Sequence, residues 1–398
     1  SLSCCPSGSP AALMIFITWM LFDRKTLLPA DSVEVTLWGY ILLLVISGFF
    51  AMDLRRYFFG LFTRFDGLLI LTAYCLLFYA GKKKYRFQEA PIGWFFISAL
   101  LISLYGIAQT YGIDPLRQGL VESPRLIRPS ATMGNPNFFG SYLVLLLPLT
   151  AYTYLLKKQA RYAIITGILF YALLATMTRS AWLGFVCSLM VIIFWTIKKR
   201  DIRRHLLVLL VFLVLISLVF DVAGEGRLIS RMLTITRDAE ALLSQEEDYA
   251  SAGASRIFIW ERTVKIIARH PLFGVGIESL DLAFEKYFSR DILLHWGEMK
   301  TIDKAHNEYL HIAATSGIPS LLVYLVFLYQ CLKKIHGGIK REPLLIPVLA
   351  SLVGYLVQAF LNVSVITVAF IFWTMLGIGV NLANEEAARV AGTENGSR

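Results

Sequence analysis

Three short stretches of the chain combine residue types and spacings that could do chemistry. Thr178-Arg179-Ser180 splits a 36-residue apolar stretch, residues 162–197, into halves of 16 and 17 residues. An arginine inside so much apolar sequence is costly unless it is used. At the tip of a tight hairpin its planar guanidinium can grip a phosphate or carboxylate through two parallel N–H bonds. The same side chain could instead snorkel and only set the hairpin's depth, and spacing does not separate the two. The second stretch runs from Arg256 to Arg269 and is closed by His270-Pro271. At about 100° per residue, Ile257, Trp260, Val264 and Ile267 share one face with Arg256 inside the stripe. Arg256 is therefore expected to point at the packed side and to need an anion there, either a ligand or a loop carboxylate. Arg262, Lys265 and Arg269 fall on the opposite side, as a solvated or headgroup-facing surface. The third stretch is Ala305-His306-Asn307-Glu308-Tyr309-Leu310. His306, Leu310, Ala313 and Gly317 lie at helical spacing, which puts the imidazole on a face of small residues. Its near-neutral basicity suits removal of a proton from a hydroxyl. His311 lies on another face and His270 ends a helix, so neither is favoured as the base.

Gly134-Asn135-Pro136-Asn137 is a turn signal first and a polar ligand loop second. Trp260, Trp296, Tyr249 and Tyr287 could stack on sugar rings, although aromatic residues also pack cores and line membrane interfaces. The five cysteines have no metal-ligand spacing, and the chain has no His-Glu-x-x-His helix and no phosphate-binding glycine loop, so neither a metal nor a cofactor is expected.

The elements that must carry these residues are membrane helices. Of the 398 residues 57% are hydrophobic and 17% charged, far from a soluble domain's composition. Runs able to cross the hydrocarbon core lie at about 11–22, 33–52, 65–80, 92–110, 137–156, 162–177, 181–197, 206–223, 316–332, 344–362 and 364–383. The first is short, and the chain starts at Ser1, so an earlier span is expected to be missing and the intact protein to have about twelve. Short loops carrying Lys and Arg favour the cytoplasm. Every second loop is basic, around Lys82, Lys157, Lys198 and Lys333, and with Arg24 and Lys25 these hold 18 basic residues. The intervening short loops hold seven, all arginine: Arg55, Arg56, Arg64, Arg117, Arg125, Arg128 and Arg179. That bias hints at an anionic ligand outside. The expected organisation is N-terminal spans over residues 1–223, a large outer helical loop over 224–304, and C-terminal spans with a cytoplasmic tail over 305–398. The outer loop is nearly neutral, with 11 Lys+Arg against 13 Asp+Glu, which argues against nucleic acid as a partner. The apolar runs carry no central ionisable residue, so an ion-coupled transporter lacks its usual tool.

Taken in order, these pieces resemble the O-antigen ligase family, which also holds bacterial surface-polysaccharide polymerases. The resemblance rests on Gly134-Asn135-Pro136-Asn137, on Thr178-Arg179-Ser180-Ala181-Trp182-Leu183-Gly184 and on Arg256 with Trp260. It continues through His270-Pro271-Leu272-Phe273-Gly274-Val275-Gly276 to His306-Asn307, with Gly317 after nine intervening residues. It is closest over residues 134–320. A second glycine usual in the family falls here at Ser320, another small residue. The resemblance implies an all-α, GT-C-like multi-pass protein of the bacterial inner membrane with its site on the periplasmic or extracellular face. It implies a metal-independent, inverting glycosyltransferase that moves a glycan from a polyprenyl diphosphate to a glycan or lipid-sugar acceptor. Arg179 and Arg256 would hold the diphosphate and His306 would activate the acceptor hydroxyl, with Arg262, Asn135, Asn137 and Trp260 as further substrate contacts. Ligase and polymerase are not separated by the sequence, and transfer to protein side chains is a third possibility. From a different class, a lipid-linked-glycan flippase or a non-catalytic assembly subunit would use the same spans without His306 as a base.

Overall fold

A computed structural model describes residues 31–62, 64–84, 89–114, 119–120, 127–233, 252–363 and 365–396. The first apolar run, 11–22, lies outside them, as do Arg24, Lys25, Arg86, Arg117, Arg125 and Tyr249. In chain order the helices are α1 Ser32–Gly48, α2 Leu54–Phe59, α3 Leu68–Lys84, α4 Glu89–Thr110, α5 Pro136–Lys157, α6 Ala160–Ala175, α7 Arg179–Thr196, α8 Arg200–Ala223, α9 Ala252–Arg269, α10 Leu280–Trp296, α11 Glu308–Ser316, α12 Ile318–Gly338, α13 Leu345–Ala359 and α14 Ile366–Gly396. One two-residue antiparallel pair, Ile113–Asp114 with Gly119–Leu120, is the only sheet among the described residues. The chain is an all-α multi-pass membrane protein. Each apolar run from residue 33 onward falls on a helix. Six of these helices, α4, α5, α7, α8, α12 and α14, are long and apolar enough to cross a membrane, and α1, α6 and α13 are shorter apolar helices. Counting runs overstates some lengths because apolar residues continue into turns. The run at 33–52 includes Phe49 to Met52, which follow the end of α1.

The spans alternate in direction, and side-chain contacts tie their ends together. At one end Asp31 caps α1 by accepting from the Glu34 amide at 3.0 Å. The same carboxylate pairs with Lys82 of α3 at 2.9 Å and Lys334 of α12 at 2.7 Å. Lys82 also bonds Glu34, which is fully buried. A buried carboxylate is tolerable only when paired in this way. Trp195 meets His336 edge-on at 5.3 Å, and Tyr154 meets His205 at 6.0 Å, at this same basic end. The chemistry-bearing stretches gather at the opposite end.

Midway, α7 and α13 cross at two back-to-back glycines. A Cβ on Gly354 would lie 2.0 Å from Ser188 Oγ and 2.7 Å from the Gly184 carbonyl oxygen. Ser188 Oγ in turn donates to the Ala350 carbonyl at 2.8 Å. Small residues are what let membrane helices approach this closely.

The segment after residue 251 builds a second apolar cluster beside the bundle. Phe258, Ile259 and Ile266 of α9 pack with Leu280, Phe284, Phe288 and Ile292 of α10 and with Ala305 and Ala314. This corrects the face expected for α9. The residues that interrupt the Ile257–Trp260–Val264–Ile267 stripe form the buried face, whereas Val264 is 52% exposed. Thr263 completes the buried stripe, and its hydroxyl is satisfied by the Ile259 carbonyl at 2.7 Å, so a residue that reads as polar is buried without cost.

The α7–α13 crossing gives a direct test. Gly354→Ala should destabilise the protein by about 1–3 kcal/mol, the usual cost of overpacking, read as a lower melting temperature in detergent. An unchanged melting temperature would mean that the two helices have room to part.

Candidate functional site

The site is built from three patches joined at the end of α13. The first patch is the hairpin between α6 and α7. Its tip is Thr176 to Thr178, and Arg179 is the first residue of α7. A cation in the first turn opposes the helix dipole, so Arg179 is not placed there to stabilise the helix. Thr178 Oγ1 lies 3.2 Å from Asn137 Oδ1 at the start of α5. Arg128, which sequence reasoning did not single out, binds both. Its Nε donates to the Thr176 carbonyl at 2.9 Å, and its Nη2 reaches Asn137 Oδ1 and Thr178 Oγ1, each at 3.3 Å. Burial and the neighbouring charge of Arg231 lower its pKa, evidence that cations are crowded at this tip. The only signal for Arg128 in the sequence was the all-arginine composition of the outer loops. Asn135 is a helix cap, accepting from the Asn137 amide at 2.8 Å.

The second patch is the start of α9. Arg256 is half-buried. One turn on, Trp260 donates from its indole nitrogen to the Ala305 carbonyl at 2.9 Å, so α9 is fastened to the residue before His306. Arg262 lies over the Phe258 ring at 3.8 Å and contacts Glu261 at 2.8 Å and Asp291 at 3.3 Å. Its charge is engaged in docking α10 onto α9 rather than lying on a solvated face. Tyr287 bonds His270 at 3.0 Å, and Trp296 packs on Phe258 at 4.9 Å. Both rings, like Trp260, thus hold the outer cluster together.

The third patch is the turn 303–307. His306 does not lie on a helix face as its spacing suggested. It is in the left-handed region at φ 51°, just outside α11, and Asn307 is the cap, accepting from the Leu310 amide at 3.0 Å. Helical periodicity runs back from α11 through a residue the helix does not include. The ring is exposed, and partial desolvation together with the charge of Arg256 lowers its pKa below the ordinary 6.5. The direction of the shift favours the neutral ring, the form that can accept a proton. Beneath it Lys304, 5% exposed, is bonded to buried Glu278 and lies 3.6 Å from Asp66. Arg64 pairs with Asp303 at 2.7 Å and Arg56 with Asp281 at 2.9 Å. Two of the outer arginines are thus docking ion pairs, which accounts for part of the bias seen in the loops.

Backbone lacing fixes α11. Residues 271–276 run alongside its C-terminal end. Val275 N donates to the Ala314 carbonyl, Gly276 N to Thr315 and Ile318 N to Pro271, at 2.9, 2.9 and 2.8 Å. Gly317 has φ 90°, and a Cβ there would lie 2.1 Å from the Leu272 carbonyl oxygen, so only glycine fits. Ser47 Oγ and the Phe50 ring hold Phe273 from the α1 side.

The end of α13 joins the patches. Phe360 lies 6.0 Å from Trp260 and 6.3 Å from Tyr309, ring to ring. Tyr309 donates to the Leu356 carbonyl at 2.9 Å. Gln358 and Asn362 both donate to Ser141, one turn below Asn137, at 2.9 and 3.4 Å. Arg128, Arg179 and Asn137 are thereby tied to the same end of the bundle as Arg256 and His306.

Residues 164–325 match the profile of a family described as O-antigen ligase. Over that segment, which is less than half of the chain, the protein is similar to the O-antigen ligase family. The matched segment contains Arg179, Arg256 and His306 and stops short of Arg128, Asn135 and Asn137. The chain is also similar to two Acinetobacter baylyi proteins. A General O-oligosaccharyltransferase is 25% identical over 297 residues, which are 70% of the chain and 50% of that protein. A ComP-specific O-oligosaccharyltransferase is 24% identical over 256 residues, 63% of the chain and 43% of that protein. The chain spans about half the length of these curated relatives or less.

Two measurements follow. Lys304→Met leaves Glu278 buried and unpaired, and should cost about 3–5 kcal/mol of stability. Lys304→Met with Glu278→Gln should recover most of it, because Asp66, whose pKa burial has already raised, can take up a proton. Thermal unfolding of the two variants decides the matter, and equal melting temperatures would mean that the buried Lys304–Glu278 pair is not what holds this turn. Arg256→Met removes a positive charge that disfavours the imidazolium, so the His306 titration, followed by NMR of ring-labelled protein, should move to higher pH.

Proposed function

We propose that the protein is a membrane glycosyltransferase that transfers a preassembled oligosaccharide from a polyprenyl diphosphate to an acceptor hydroxyl. The observation that carries this reading is the pairing of His306 with Arg256. A solvent-reachable imidazole, its pKa lowered by desolvation and by the charge of Arg256, lies at the end of the bundle where Arg128 and Arg179 also lie, and Trp260, one turn after Arg256, fastens α9 to the residue before His306. His306 takes the proton of the acceptor hydroxyl as that oxygen attacks the anomeric carbon. The new C–O bond forms as the bond from the anomeric carbon to the diphosphate oxygen breaks on the opposite face, so the configuration inverts. The polyprenyl diphosphate leaves as an anion, stabilised by Arg179 and Arg256 with Arg128 beside them. Preorganised cations aimed at developing charge are the most effective single device available to such a site, and the base supplies the proton transfer. No step of this reading uses a metal.

The basic clusters lie at the other end of the bundle, which supports an outer-face site in a bacterial inner membrane, with the segment 224–304 as its outer cover. The names of both relatives describe oligosaccharide transfer, which favours handing over a whole glycan above lengthening one. The ComP-specific relative supports a defined acceptor for this chain as well, whether a lipid-sugar or a protein hydroxyl.

The test is product formation in lipid with a polyprenyl-diphosphate oligosaccharide and candidate acceptors. His306→Ala should lower kcat about 10²–10⁴-fold. Arg179→Ala, Arg256→Ala and Arg128→Ala should each lower it about 10²–10³-fold. A His306→Ala protein that still moves lipid-linked glycan across the bilayer, with no product from wild type, would make the chain a flippase instead. A ladder of lengthened lipid-linked glycan without added acceptor would make it a polymerase.

A further inference from the structure

At the basic end of the bundle, away from the candidate site, lies a cavity of about 790 Å³ between α4, α5, α6, α13 and α14. Its wall is mainly apolar, with Phe96, Leu149, Val348, Phe370 and Met375 among its lining. At the edge Leu156 and Phe370 remain 41% and 45% exposed, so the cavity opens between helices. A cavity of this size, apolar with a few convergent polar groups, has the make-up of a binding site.

Three polar groups give the occupant its chemistry. Lys157, at the end of α5, and Arg161, at the start of α6, both line the cavity, and no carboxylate is among its described lining. Arg161 is braced by Gln159 at 2.9 Å and by the Tyr162 ring at 4.9 Å, so its cation is held rather than loose. The third group is Tyr152. Its side chain is 1% exposed and lines the same cavity, and its hydroxyl has no hydrogen-bond partner among the described residues. A buried hydroxyl without a partner is costly, and a ligand oxygen would remove that cost. Tyr152 stands five residues before Lys157 on one helix, about 7–8 Å deeper in the bilayer at 1.5 Å per residue. Two cations at the membrane surface, a hydroxyl donor several ångströms deeper and an apolar chamber beyond match a phosphate, an ester carbonyl and acyl chains in that order.

We propose that this cavity is a binding site for one anionic glycerophospholipid. Its phosphate lies against Lys157 and Arg161, its ester carbonyl accepts from Tyr152, and an acyl chain fills the chamber. A basic pocket between spans on the cytoplasmic side is suited to such a headgroup. A polyprenyl phosphate, which has the anion but no ester, would leave the tyrosine unsatisfied. The proposal does not depend on the activity argued above.

The experiment is native mass spectrometry of the full chain with added phosphatidylglycerol, phosphatidylcholine or undecaprenyl phosphate. Wild type should hold one phosphatidylglycerol in preference to the other two. Lys157→Gln with Arg161→Gln, two exposed side chains, should weaken phosphatidylglycerol about 10- to 30-fold. Tyr152→Phe, which deletes one oxygen and preserves the packing, should weaken it about 5-fold and leave undecaprenyl phosphate unaffected. Thr153→Trp, which narrows the chamber, should also weaken phosphatidylglycerol. Equal retention of phosphatidylcholine, undiminished phosphatidylglycerol in the charge-neutralised protein, or undecaprenyl phosphate displacing phosphatidylglycerol would each overturn it.

Discussion

The candidate site depends on a few hydrogen bonds made by loop backbone. Residues 271–276 lie along the last turn of α11, donating to Ala314 and Thr315 and accepting from Ile318. Those groups sit where α11 ends and a membrane helix begins, so each would otherwise need water or a side chain. Because this strip also carries the link from α9 to α10, satisfying the helix end and docking the outer cluster are one event. The left-handed turn at His306 lies at the other end of the same short helix. Its geometry is therefore fixed from a distance by glycines that permit contact at Gly274, Gly276 and Gly317.

Ionic contacts then divide the molecule into two regimes. At the basic end, Asp31, Glu34, Lys82 and Lys334 join the ends of three spans. At the other end, Lys304 with Glu278 and Asp66 lies under the turn that carries His306. Buried pairs are weak evidence of stability in themselves, because desolvation offsets most of their attraction. What they specify is register, since a shift of one residue would leave a charge buried alone. Around the candidate site that register matters more than net stability, because the proposed base and its neighbouring cations would have to sit within tight tolerances.

The membrane spans were legible because their signal is strong. Long apolar runs separated by alternating basic loops leave few other solutions. Arg179, Arg256 and His306 stood out in the sequence as candidates, each for a local reason: a charge amid hydrocarbon, a cation within an apolar stripe, a histidine at a boundary. What failed was inference about faces. In α9, two apolar stripes compete, and Thr263 hides the true one because its hydroxyl is satisfied by its own helix. At His306 the helical pattern begins one residue too early, since Asn307 takes the cap. Arg128 escaped notice because its meaning lies in partners 9 and about 50 residues away, and a single sequence does not print such contacts. Arg262 read as solvated for the same reason: Asp291 reaches it only once α10 has docked.

The contacts of Ser141 also set an order in time. Its hydroxyl receives Gln358 and Asn362, which follow it by 217 and 221 residues. A ribosome delivers α5 to the membrane long before α13 exists. Until then the start of α5, with Asn137 and the arginine-bearing hairpin beside it, lacks the partners that later bind it to α9 and α11. Contacts of such long separation form late. A half-made chain thus lacks the contacts that bring its cations and its histidine to one end, so the candidate site comes together only when the last helices arrive.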